Sequence, residues 1–94
     1  MFFLKSIKNY FLTHKVKIID TNDKFKSSVQ ILNNQDSIGC DTEFVWRDTY
    51  YPILSLVQIS TDQETFIIDP FKVEDIKELN QIFKNKKIIK IFHS

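Results

Sequence analysis

The chain has one cysteine, Cys40, one glycine, Gly39, one arginine, Arg47, and two prolines. A lone cysteine rules out an intrachain disulfide and a cysteine-built zinc cluster, and it suits a reducing intracellular compartment such as the cytoplasm. So little glycine and proline, beside 43% hydrophobic and 27% charged residues, describes a packed globular chain rather than a disordered one. No apolar run approaches the roughly 20 residues of a membrane span. The apolar opening Met1-Phe2-Phe3-Leu4 is broken by Lys5 and Lys8 too early for a secretory core. A net charge of +1 neither favours nor excludes nucleic acid as a partner, so any such binding has to come from local patches. Repeats, low-complexity tracts and linkers are absent too. The 94 residues make one small domain at most.

What is present reads as a succession of short elements. Phe3, Ile7, Tyr10 and Phe11 fall at helical spacing with Lys5 and Lys8 turned away, which predicts a short docking helix within an extension over residues 1–15. A membrane-surface anchor would need more basic residues and more length. Val16 to Asp20 reads as a first strand. Thr21, Asn22 and Asp23 offer N-cap candidates, and Phe25, Val29 and Leu32 at i, i+4, i+7 predict a helix over 22–33. Asn33-Asn34-Gln35-Asp36 ends it, since asparagine tolerates the left-handed turn that a helix C-terminus often uses.

A strand over about 37–45 follows, then a polar and aromatic connection from Trp46 to Pro52. Ile53 to Ser60 is apolar on both faces, as in a strand from the middle of a sheet. With Thr65 to Asp69 it predicts a three-stranded antiparallel meander. Beyond Pro70, Val73, Ile76, Leu79 and Ile82/Phe83 form a helical stripe, with Glu74 and Asp75 early and Lys84, Lys86 and Lys87 late. Ile88 to Phe92 is a last strand, reached through a helix and so expected parallel to a neighbour, here the strand over 37–45. The expectation is an α/β domain: a mixed sheet with flanking helices in the order β-α-β-β-β-α-β. An Ile-rich strand normally has both faces covered, and nothing after Phe92 remains to cover one, so an interrupted domain is expected.

The strand over 37–45 carries the chemistry. Asp41 and Glu43 share one face, with Cα atoms roughly 6.6 Å apart, while Cys40, Thr42 and Phe44 share the other. Like charges on an apolar strand are costly to bury unless a cation or hydrogen-bond donors compensate, and an exposed strand face is the plainer alternative. Cys40 reads as a small packed hydrophobe and His14 as a surface histidine. Trp46, Tyr50 and Tyr51 either shield a sheet edge or stack on bases. Arg47 reaches a phosphate or stays solvated, and the three late lysines suit a helix C-terminus better than an RNA track. Gln58, polar in an apolar strand, is expected to meet a backbone or side-chain partner.

Asp41-Thr42-Glu43-Phe44, Thr49-Tyr50-Tyr51-Pro52 and Leu54-Ser55-Leu56-Val57-Gln58-Ile59 together resemble the first exonuclease motif and following strand of the ribonuclease D family. Ile67-Ile68-Asp69-Pro70 and Lys90-Ile91-Phe92-His93-Ser94 are similar to its next landmarks, so the resemblance runs over residues 16–94. It implies a 3′-5′ exonuclease of the DEDD superfamily with a ribonuclease H-like fold. It further implies Asp41 and Glu43 as catalytic ligands of two divalent ions, Mg²⁺ or Mn²⁺. Single-stranded RNA 3′ ends would be the substrate and 5′-mononucleotides the product. Thr42 and Phe44 would meet the terminal nucleotide, although Phe44 could instead fill the core. His93 opens the second motif, and Tyr50 or Tyr51 is the nucleic-acid contact of the connection. The Asp residues of the second and third motifs have no match here. Residues 16–94 are therefore expected to be the N-terminal portion of such a domain, inactive alone, with a second polypeptide as one candidate carrier of the rest. The alternatives are a non-catalytic nucleic-acid-binding module and a remnant without function.

Overall fold

In the computed structural model, which describes residues 14–46 and 50–92, the first elements are β1 (Lys15–Ile19), α1 (Asn22–Asn33), β2 (Ser37–Val45), β3 (Ile53–Ser60) and β4 (Glu64–Ile68). A 3₁₀ turn at Ile76–Leu79 then runs into a one-turn helix α2 (Asn80–Phe83), and β5 (Ile89–Phe92) follows. The predicted extension helix lies outside the described residues, apart from its end, where Lys15 already belongs to β1. Arg47 and His93 also lie outside them.

The five strands form one mixed sheet in the order β1-β4-β3-β2-β5. The strands β2, β3 and β4 are the expected antiparallel meander, because their connections are too short for a crossover. The two strands that flank helical segments pair in parallel, β1 with β4 and β5 with β2. That puts β3, the strand apolar on both faces, at the centre.

Helix α1 begins where its sequence allows. Extended Thr21 accepts the Lys24 N–H through its side chain at 3.3 Å, and Asp23 occupies the first turn. Its buried residues are Phe25, Ser28, Val29 and Leu32, with the Ser28 hydroxyl returned to the Phe25 carbonyl at 2.7 Å. The C-terminus corrects the expectation of a left-handed asparagine: Asn34 has φ −99° and ψ 6°. The last carbonyls are satisfied by backbone and side-chain donors together, with Asn34 N–H on Ile31 O and Gln35 N–H on Leu32 O at 3.2 Å each. The Asn34 amide donates to Gln30 O at 3.0 Å and the Gln35 amide to Ile31 O at 3.1 Å, so no backbone reversal is needed.

The second helical segment also differs from its stripe. Val73 is buried, but ahead of the helix rather than in it. Two amides ahead of it are held by side chains: Phe71 N–H by Asp69 Oδ1 at 2.9 Å, and Glu74 N–H by Asn22 Oδ1 at 2.8 Å. The regular α-helix is confined to Asn80–Phe83. Lys84 caps it and Lys86 and Lys87 lie in the turn beyond, so the lysines do not line a last helical turn.

The core lies on one face of the sheet. Ile19, Ile38, Cys40, Val57, Ile59, Phe66 and Ile68 point to it and meet Phe25, Val29 and Leu32 of α1 and Ile82 of α2. On the opposite face Val16, Ile18, Ile89 and Ile91 are each more than half exposed. Among the described residues that face has no cover.

Candidate active site

Asp41 and Glu43 stand on the open face of β2, which is held on one side by β3 and on the other by β5. Asp41 pairs across the sheet with Gln58 and Glu43 with Leu56; the register then passes over Ser55, and Phe44 pairs with Leu54. Ser55 is thus the extra residue of a β-bulge, a device that bends a strand and re-aims its side chains. Its hydroxyl donates to the Glu43 carbonyl at 3.1 Å.

Both carboxylates are exposed. Among the described residues neither accepts a hydrogen bond or joins an ion pair. The salt bridges are elsewhere, Lys17 with Glu64 at 2.6 Å and Lys24 with Asp20 at 3.1 Å. In solvent two charges roughly 6.6 Å apart repel by less than about 1 kcal/mol. The strand therefore forms without a cation, and the pair is an anionic site open to one. Hard carboxylate oxygens suit Mg²⁺ or Mn²⁺. No group of three or more candidate metal ligands converges among the described residues.

The neighbours settle several alternatives. Phe44, at 54% exposed, does not fill the core, and Thr42 is exposed as well. Trp46 (67%), Tyr50 (94%) and Tyr51 (78%) are exposed; with Phe44 they flank the β2–β3 connection as aromatic surface. His14 is not a plain surface residue: it is half-buried, its Nε2 lies 2.8 Å from the Thr65 hydroxyl, and that hydroxyl lies 2.9 Å from Ser60 Oγ. Gln58 also departs from expectation, since its amide has no hydrogen-bond partner among the described residues. Cys40 is packed as expected, and burial pushes its thiol up to about 11, with Lys90 opposing the shift. Asp20 is held below its ordinary value by the Lys24 hydrogen bond and charge.

Strand pattern alone places the acids on one face but says nothing of what stands across from them. The bulge at Ser55 and the Asp41–Gln58 pairing belong to the strand register and not to either strand's own pattern. The only local signals are single polar residues inside an apolar run.

A model of the 3′-5′ exonuclease family matches residues 16–94. The chain belongs to that family. Ribonuclease D of Desulfotalea psychrophila is 42% identical over 77 residues, 81% of this chain and 21% of that protein. Escherichia coli RNase D, an exoribonuclease involved in structured RNA processing, superposes with a TM-score of 0.77 at 32% identity, over 85% of this chain and 21% of that one. Trypanosoma brucei RNase D in complex with RNA U12 gives a TM-score of 0.76 at 26% identity, over 95% and 33%. The five-stranded sheet is thus the ribonuclease D exonuclease fold, and the chain spans about a fifth to a third of the length of the ribonuclease D relatives it matches.

Proposed function

We propose that this exonuclease-family chain contributes the first carboxylate pair of a metal-dependent site that trims RNA from its 3′ end. One observation carries the reading: in a member of this family, Asp41 and Glu43 stand together on one strand face, solvent-facing and without a hydrogen bond or ion pair among the described residues. They hold Mg²⁺ or Mn²⁺, and the bulge at Ser55 sets the backbone from which Glu43 projects. A bound divalent ion supplies an activated water and charge neutralisation at the leaving 3′-oxygen. Thr42 and Phe44 meet the terminal nucleotide, Tyr50 offers a ring to a base, and His93 adds a polar contact. RNA rather than another substrate is favoured by the T. brucei relative bound to RNA U12.

Two carboxylates are half of the four-acid set that the ribonuclease D resemblance implies. The 94-residue chain by itself therefore has little or no exonuclease activity, and the remaining ligands come from further residues or a second polypeptide. The test is release of 5′-mononucleotides from 3′-unpaired RNA with Mg²⁺ or Mn²⁺. Turnover by the chain alone that Asp41→Ala abolishes would overturn its inactivity while supporting the site. Turnover that Asp41→Ala leaves intact would overturn the site.

A second reading rests on the exposed aromatics Phe44, Trp46, Tyr50 and Tyr51: a non-catalytic binder of single strands, with stacking worth about 1–3 kcal/mol per base. Binding that falls with salt yet ignores both metal and Asp41→Ala would select it.

A further inference from the structure

We propose that the Gln58 carboxamide positions the Asp41 carboxylate, donating an Nε2–H to the oxygen that a bound cation leaves free. The inference rests on reading Asp41 and Glu43 as metal ligands and goes beyond it to a residue of the neighbouring strand.

Gln58 and Asp41 are direct partners in the β2–β3 register, so both project onto the open face. Directly opposed residues have Cβ atoms about 4.5–5.5 Å apart, which one glutamine side chain spans. On its other flank Gln58 pairs with Ile67, which has no polar side-chain atom. Ser60, two residues along the same face, is already engaged with Thr65. The diagonal positions on β2 are Glu43, farther off than Asp41, and Gly39, where an added Cβ would meet nothing within 4 Å, so the space on that side of Asp41 is clear. Asp41 is thus the polar side chain directly opposite an amide that is half-buried and has no partner among the described residues. Its polar atoms reach solvent rather than a protein partner, so the amide is available to turn towards Asp41. A carboxylate ligating through one oxygen offers the other as an acceptor, and groups in that role typically govern metal affinity 10- to 100-fold.

Mn²⁺ binding to the full 94-residue chain, followed by electron paramagnetic resonance of the free ion, tests this without recourse to activity. Gln58→Leu should weaken Mn²⁺ binding about 10-fold or more while its melting in EDTA does not fall. Gln58→Glu, of equal size, places a third carboxylate beside the ion and should tighten binding. Mn²⁺ affinities unchanged in both variants overturn the proposal. An Asp41→Ala variant separates the two claims. If it loses Mn²⁺ while both Gln58 variants bind as the wild type does, only the positioning role fails. If Asp41→Ala binds like the wild type, or the wild type binds no Mn²⁺, the metal reading fails and the Gln58 role falls with it.

Discussion

The Ser55 hydroxyl donates to the Glu43 carbonyl at 3.1 Å from the very residue that the β2–β3 register passes over. The extra residue of the bulge is therefore tied to the backbone of the second acid, so the local twist that aims Glu43 is held in place. Ser55→Ala should cost about 0.5–1 kcal/mol in urea unfolding, at the lower end because the bond is exposed. The same variant should weaken Mn²⁺ binding, since the strand carrying Glu43 loses its tether.

Removing Asp41 should not weaken the fold. Its carboxylate makes no hydrogen bond or ion pair among the described residues and stands beside Glu43, so Asp41→Ala should leave the EDTA melting temperature unchanged or slightly raised. Mn²⁺ should stabilise the wild type by about 1.4 kcal/mol at ten times its dissociation constant and the variant by nothing measurable. Thermal scans with and without Mn²⁺ read both numbers.

The core should be unforgiving on its single covered face. Leu32 and Ile59 are fully buried against each other's layers. Leu32→Ala should cost about 2–5 kcal/mol and Ile59→Val about 0.5–1.5 kcal/mol, read as midpoint shifts in urea. The first is comparable with the whole stability of a small domain, so loss of cooperative unfolding is its expected sign.

Asn22 joins two distant parts of the chain through Glu74 N–H. Asn22→Ala should release the segment ahead of the 3₁₀ turn, cost about 1 kcal/mol, and speed hydrogen exchange of the Glu74 amide above all others in 70–76.

Cys40 should make stability fall at alkaline pH. Its folded value, pushed up to about 11 by burial, lies above the ordinary 9.0, so the unfolded chain loses the thiol proton first. The contribution is complete below pH 9 and is lost as pH rises towards 11. Wild type minus Cys40→Val, compared by urea unfolding across that window, should isolate this slope. At pH 8 a thiol reagent should label Cys40 only as fast as the chain opens.

Much of the architecture is legible because its signals are local. The i, i+4, i+7 spacing of Phe25, Val29 and Leu32 needs no partner to be read, and Thr21 caps the helix that follows it. Short connections force β2, β3 and β4 antiparallel, and a helical crossover makes β5 parallel to β2. Boundaries shift by about one residue, as with β1 and β4, because hydrogen bonding rather than composition ends a strand. Two details differ from their local signals. The Val73–Phe83 stripe suggests a regular helix, yet only a 3₁₀ turn and one α-turn form within it, and Asn34 closes its helix at φ −99° rather than in the left-handed region.

The carboxylate pair divides in the same way. Alternation along a strand is a covalent consequence of the backbone, so the sequence by itself determined that Asp41 and Glu43 share a face, and the motif around them determined the family. Which face that is depends on where the helices pack. Only the tertiary structure decided that Ile38 and Cys40 turn to the covered side and leave the acids in solvent. Register between strands is likewise set by pairing, not by either strand alone. That pairing put Gln58 across from Asp41 and Ser55 against the Glu43 carbonyl.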